Sequence, residues 1–241
     1  MNVQNIRLFI PCFVDQLYPH SAANMVKVLR KAGCEVSYNP AQTCCGQPAF
    51  NAGFWKEAKE VGEKFLRDFA GNGPIVAPSA SCVGYVRNYF KNHFENGPLW
   101  KECQEVQANI FEFSEFLVDH LGITNFGAKL EGTATYHDSC AALRECKIQD
   151  APRKLLSEVE GLTLLEMADT DQCCGFGGTF TVKFEPIAVA MGEQKIDRAV
   201  DTGAQYLIST DCSCLMHLNG YIQKFNRPIQ PMHLADVLAQ F

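Results

Sequence analysis

An α/β fold of two tandem repeats, each a mainly parallel sheet flanked by helices and the two related by pseudo-twofold symmetry, is predicted by three features of this 241-residue sequence. Short apolar runs alternate with stretches of helical periodicity, the pattern of a strand, a crossover helix and a parallel strand. A rare Cys-Cys-Gly triplet occurs twice, at 44–46 and at 173–175. Around each triplet other cysteines recur at matched distances. Cys12 precedes the first triplet by 31 residues and Cys82 follows it by 35, while Cys140 precedes the second by 32 and Cys214 follows it by 38. The offsets between the copies are thus 128, 129, 129 and 132 residues. Such self-similarity marks an internal duplication.

In chain order, residues 6–10 form a short apolar run that reads as a strand. Residues 19–32 repeat Ala22, Val26 and Leu29 on one helical face, and Gly33 supplies the C-terminal cap. Residues 35–38 read as a second strand. Residues 54–69 carry Ala58, Val61, Phe65 and Phe69 at helical spacing, and Gly73-Pro74 then leads into a strand at 75–77. The second copy repeats the order with strands at 133–136, 162–165 and 206–209 and helices at 151–159 and 186–200. Each copy closes on an amphipathic helix, at 113–117 and 234–238. The boundary is expected near Asn125-Phe126-Gly127, giving a first repeat over 1–125 and a second over 126–241.

Composition excludes several classes of function. The net charge is −6, from 21 basic and 27 acidic residues without runs of either sign, which argues against nucleic-acid binding. No apolar run approaches the roughly 20 residues of a membrane span. Residues 6–14 are broken by Arg7 and Pro11 and so read as a strand and loop rather than a secretion signal. The anomaly is 12 cysteines in a chain long enough to build an ordinary core. A cytoplasmic setting is expected, where thiols stay reduced unless they bind metal or do redox chemistry. Walker loops, G-x-S-x-G elbows and zinc-protease helices are absent from the sequence.

The cysteines fall where an open α/β sheet builds its sites. Cys12, Cys82, Cys140 and Cys214 each lie just beyond the C-terminal end of an expected strand. Adjacent residues of a regular strand point to opposite faces, so Cys44-Cys45 and Cys173-Cys174 can serve one site only from an irregular loop, which Gly46 and Gly175 permit. Loop amides and helix N-termini stabilise thiolate. Four thiolates suit either an iron-sulfur cluster or a tetrahedral zinc. Neither copy has the Cys-x2-4-Cys knuckle usual for zinc, and ligands from three distant loops suit a larger object. The expected ligand sets are therefore Cys12, Cys44, Cys45 and Cys82 in one copy and Cys140, Cys173, Cys174 and Cys214 in the other. They would hold an iron-sulfur cluster, with zinc open as the occupant of one half.

Longer motifs extend the pattern. Gln42-Thr43-Cys44-Cys45-Gly46-Gln47-Pro48, His137-Asp138-Ser139-Cys140, Cys173-Cys174-Gly175-Phe176-Gly177-Gly178-Thr179-Phe180 and Cys214-Leu215-Met216-His217 resemble the signatures of the lactate utilization protein A family. The wider resemblance is to the cysteine-rich CCG domains of heterodisulfide reductase and of the iron-sulfur subunits of glycolate oxidase and anaerobic glycerol-3-phosphate dehydrogenase. The resemblance covers nearly the whole chain. It implies an iron-sulfur electron-transfer protein, an oxidoreductase subunit that works with two further subunits of a complex oxidising L-lactate to pyruvate. The tandem ferredoxin run Cys-x2-Cys-x2-Cys-x3-Cys-Pro is absent here, so a ferredoxin-type iron-sulfur subunit is expected among those partners. The alternatives are a zinc-stabilised scaffold for assembly and a thiol-disulfide reductase subunit.

The resemblance also exposes a departure. Heterodisulfide reductase members end each motif in Cys-x-x-Cys, giving five thiols and a non-cubane 4Fe-4S cluster. Here Tyr85 and His217 stand at that place, which weakens the non-cubane assignment. Cys212, matched by Ala80 in the first copy, offers a substitute fifth thiol in the second. His217, one turn after Cys214, and His137, three residues before Cys140, are further auxiliary candidates. Cys34, Cys103 and Cys146 lie outside the repeat and read as ordinary thiols, and His20, His93, His120 and His233 as exposed or capping residues.

Overall fold

Two sheets of four parallel strands form the frame of a computed structural model that describes residues 4–241; the first three residues of the expected first repeat lie outside the described residues. The first half runs β1 (Gln4–Leu8), α1 (Cys12–Leu17), α2 (Pro19–Lys31), β2 (Cys34–Tyr38), α3 (Gln47–Asn51), α4 (Trp55–Phe69), β3 (Ile75–Ala77), α5 (Ala80–Tyr89), α6 (Lys91–Phe94), α7 (Trp100–Asn109), β4 (Ile110–Glu112) and α8 (Phe113–Glu115). Its last helix continues as a π-helical turn at Phe116–His120. The second half runs β5 (Lys129–Tyr136), a π-helical turn (Ala141–Cys146), α9 (Asp150–Ser157), β6 (Glu160–Leu164), α10 (Phe180–Lys183), α11 (Glu185–Asp201), β7 (Tyr206–Ser209), α12 (Cys212–Lys224), β8 (Gln230–His233) and α13 (Leu234–Leu238).

The strand orders are β2-β1-β3-β4 and β6-β5-β7-β8, the same arrangement twice, and every pairing within the sheets is parallel. The central strand β3 is buried along its whole length, as expected of a strand covered on both faces. Gly33, at φ +83°, adopts the left-handed conformation that ends α2 and turns the chain into β2.

The pseudo-twofold relation has a local signature at the join. Ser79 and Asp211, which occupy matched places 132 residues apart, pair with each other as an antiparallel bridge. Equivalent residues meet in this way only across an axis that exchanges the halves. Contacts between helices are reciprocal too: α5 packs on the turn Ala141–Cys146, and α12 packs on α1, its counterpart. One apolar cluster runs through both halves, joining Ile6, Leu8, Leu29 and Phe116 to Tyr136, Leu155, Ile208 and Leu234.

Differences from the sequence expectation are local. Each sheet has a fourth strand, β4 or β8, immediately before the closing helix. Strand β5 begins at Lys129 rather than at residue 133. His233 is buried and caps α13, its Nδ1 accepting from the Ala235 N–H at 3.1 Å.

Candidate metal centre

Loop geometry brings the thiols to the C-terminal edges of the sheets. Cys12 opens α1 after β1, and Cys82 lies in the first turn of α5 after β3. Cys140 and Cys214 take the same places after β5 and β7, and the two Cys-Cys-Gly loops follow β2 and β6. Gly46 and Gly175 both sit at φ +94°, a conformation costly for any residue with a Cβ. That bend folds each backbone N–H back onto the first thiol of its pair, Gly46 N to Cys44 Sγ at 3.3 Å and Gly175 N to Cys173 Sγ at 3.4 Å. Cys12 Sγ lies 3.8 Å from Cys44 Sγ.

The two sets share one space. All eight cysteines, and Cys212, line a single cavity of about 560 Å³ between the halves. Its size falls in the range of ligand and cofactor sites, beyond what one ion enclosed by four sulfurs requires. Phe13 of the first half meets Phe176 of the second edge to face at its wall, with ring centroids 5.6 Å apart.

Asp211 organises the join between the sets. Its fully buried carboxylate accepts from the Ser81 N–H at 3.0 Å, in the first turn of α5, and from Ser213 N and Oγ at 3.2 and 2.6 Å, at the start of α12. One side chain from the second half thus serves the N-termini of both cysteine-bearing helices. Ser79, its counterpart, makes no cap and pairs with Ser81 Oγ at 3.1 Å.

The ionisation of the thiols is uneven in the same way in both halves. Cys44 is held well below the ordinary thiol range because it accepts hydrogen bonds from Cys12, from Cys45 and from the Gly46 amide. Cys173 is held down likewise by Cys140, Cys174 and the Gly175 amide. Donation to those thiolates, together with burial, pushes Cys12, Cys45, Cys140 and Cys174 up. Each set therefore gives one thiolate readily and keeps the two thiols that donate to it protonated until a cation neutralises them. This donor set suits a bound metal or cluster.

The second half adds polar groups that the first lacks. His137 is fully buried, and neither ring nitrogen has a hydrogen-bond partner among the described residues. It forms a group with Cys174 and Cys214 whose ligand atoms all lie within 4.8 Å of one another. Burial, and then the charge of Lys195, lower its pKa to about 3, so the ring is neutral. Lys195 is itself fully buried, its Nζ donating to the carbonyls of Asp169 and Thr170 at 3.0 and 2.8 Å, and burial lowers its pKa to about 8.

Of the remaining candidates, Cys212 is on the cavity wall and His217 is not. His217 packs behind the second loop, Nε2 lying 3.2 Å from Ala188 O, beside Gly175 and Gly192. Tyr85, its counterpart, directs its hydroxyl to His93 Nε2 at 3.1 Å. Cys212 is fully buried against the shared core, and burial pushes its thiol up. Cys34, Cys103 and Cys146 are buried away from the cavity lining. Asp211 and Lys195 escaped the sequence reading, since each looks like an ordinary charge at a loop and on a helix.

A family model of the cysteine-rich CCG domain matches residues 6–87 and again residues 134–219. The chain is 42% identical over 234 residues to lactate utilization protein A of Geobacillus kaustophilus, covering 97% of this chain and 98% of that one. It is 43% identical over 237 residues to lactate utilization protein A of an Exiguobacterium species, covering 97% and 96%. Among solved structures, a hypothetical protein from Helicobacter pylori aligns with a TM-score of 0.58 at 12% identity, over 98% of this chain and 48% of that one, so this chain spans about half its length. That likeness concerns the fold.

Proposed function

The chain belongs to the lactate utilization protein A family of cysteine-rich CCG proteins, and from that premise we propose that it is an iron-sulfur electron-transfer subunit of a complex that oxidises L-lactate to pyruvate. The observation that carries the reading is the single cavity lined by two sets of four thiols, one from each half. Cys12, Cys44, Cys45 and Cys82 would hold one centre, and Cys140, Cys173, Cys174 and Cys214 the other. When bound, iron-sulfur clusters supply one-electron carriers of tunable potential.

The protein's own groups prepare the site for them. The Gly46 and Gly175 amides stabilise thiolate, the N-termini of α5 and α12 direct positive dipole ends at the edge where the clusters would sit, and the largely apolar wall limits water. Removal of two electrons from lactate needs a route onward, and a ferredoxin-type partner subunit would provide it, this sequence having no ferredoxin run. No helix among the described residues is long and apolar enough to cross a membrane.

A zinc centre in the second half is the competing reading, favoured by the close grouping of His137 with Cys174 and Cys214, a nitrogen and sulfur set that suits zinc. The thiol-disulfide alternative is opposed by the burial of Cys212, which disfavours the nucleophilic thiolate. Anaerobic purification followed by iron, sulfide and zinc analysis, with a visible absorption spectrum, separates these. Iron and sulfide with a coloured spectrum are expected. A colourless protein with stoichiometric zinc in both halves contradicts the proposal.

A further inference from the structure

His137 follows β5 in the place that Phe9 takes after β1. Both backbone N–H groups extend their sheets, His137 to Ile208 O at 2.8 Å and Phe9 to Val76 O at 3.0 Å, and both side chains are fully buried. Phe9 fills its space with hydrocarbon, its ring centroid 4.8 Å from that of Phe65 and 5.6 Å from that of Phe69. His137 brings two ring nitrogens into the equivalent space, and among the described residues both lack partners. Buried polar atoms are normally satisfied, and one left without a partner destabilises the fold.

The surrounding charged groups are engaged elsewhere. Asp138 gives both carboxylate oxygens to Arg153, at 2.9 and 2.8 Å, and Lys195 gives its ammonium to two carbonyls. What faces the ring is sulfur, from Cys174 and Cys214. An imidazole beside two thiols, with both ring nitrogens unpartnered among the described residues, has the donor character and spacing of a metal ligand.

We propose that His137 is a metal ligand of the second centre, which is therefore held by imidazole nitrogen as well as thiolate, whereas the first centre is held by sulfur alone. The inference rests on the iron-sulfur reading above. With the imidazole filling one of the four iron positions in place of a thiolate of the second set, a neutral nitrogen lowers the negative charge on the iron, and histidine ligation raises cluster potential where it replaces cysteine. The second centre is then the more easily reduced of the two. The first half cannot copy this, because Phe9 offers no donor.

The test uses the full chain, loaded anaerobically with iron and sulfide and grown with 15N-histidine. Wild type is compared with Cys45→Ala, which retains an intact second set, and with His137→Phe, which installs the residue of the first half. Electron-nuclear double resonance of the reduced protein should show a histidine nitrogen coupled to iron in wild type and in Cys45→Ala, and should lose it in His137→Phe. A redox titration should show the second centre's potential shifted downward in His137→Phe. Iron and sulfide bound in both halves with no histidine coupling overturns the inference and leaves the iron-sulfur reading standing. A coupling that survives in His137→Phe assigns the nitrogen to another residue and overturns it as well. A chain that binds neither iron nor sulfide overturns the reading itself.

Discussion

At the sheet edge of the first half, Phe9 and Phe65 pack edge to face in an apolar cluster; at the matched edge of the second half stand His137 and Lys195, both fully buried. The register is secure on both elements. The backbones of Phe9 and His137 make equivalent sheet bonds, and Gly46 and Gly175 face Ala58 and Ala188, whose offset of 130 places Lys195 opposite Phe65. A lysine is almost never fully buried without a partner, and here it finds two carbonyls. The first half thus packs its centre in hydrocarbon, and the second keeps polar groups whose burial costs stability. Costs of that kind persist where a site needs the group. Duplication supplied the thiols twice, and divergence behind them made the two centres unlike.

The largest difference between the halves is expected at the loop glycines. An alanine Cβ at Gly175 would lie 2.6 Å from Ala188 O and 2.9 Å from Met191 Cβ, whereas at Gly46 the nearest atom, Ala58 O, is 3.1 Å away. Gly175→Ala should cost about 3–4 kcal/mol, from left-handed strain and overpacking together, and Gly46→Ala about 1–2 kcal/mol from strain alone. Denaturant unfolding of the metal-free chain measures both, and equal losses would erase this asymmetry.

Asp211 and Ser79 come next. Asp211→Ala strands the donors of two helix starts and should cost about 2–3 kcal/mol, while Ser79→Ala should cost less than about 1 kcal/mol. Thermal unfolding of the two variants checks the ranking. A larger loss for Ser79→Ala would show that the cap across the join lies elsewhere.

Lys195 gives the comparison a pH signature. Its folded pKa, about 8, lies below the ordinary 10.5, so between those values the unfolded chain binds more protons and the folded state gains stability as pH rises. Relative to Lys195→Met, the metal-free wild type should gain about 2 kcal/mol from pH 8 to 10.5, after allowing for residual solvent screening. Parallel stability curves for the two proteins would place the ammonium in water instead.

A modest effect is expected at Cys212. Cys212→Ala should cost about 1 kcal/mol through a small cavity. Its bound iron should match that of wild type, and loss of iron would instead make Cys212 a ligand.

Much of this architecture was legible in the sequence because cysteine is rare and its spacing is long-range information. The helices Pro19–Lys31 and Trp55–Phe69 and the strand Ile75–Ala77 follow from periodicity and from the glycine and proline residues that bound them. Strands β4 and β8 were not legible. The first is three residues long, and the second contains Pro231, which a ladder tolerates here because β8 lies at the sheet edge. The meeting of the two thiol sets in one cavity was also hidden, since spacing along the chain does not show how the halves are joined. Lys195 lies within a helix whose periodicity was clear, but its burial depends on the carbonyls of residues 169 and 170, which a helical pattern cannot reveal.

Both thiol sets are proposed to hold iron-sulfur centres. The most direct measurement is the iron, sulfide and zinc content per chain of anaerobically purified wild type, Cys45→Ala and Cys174→Ala. Iron and sulfide are expected in wild type, with a loss of roughly half in each single variant and a near-complete loss when the two are combined. Iron and sulfide unchanged by either substitution, or their absence from wild type, would contradict it.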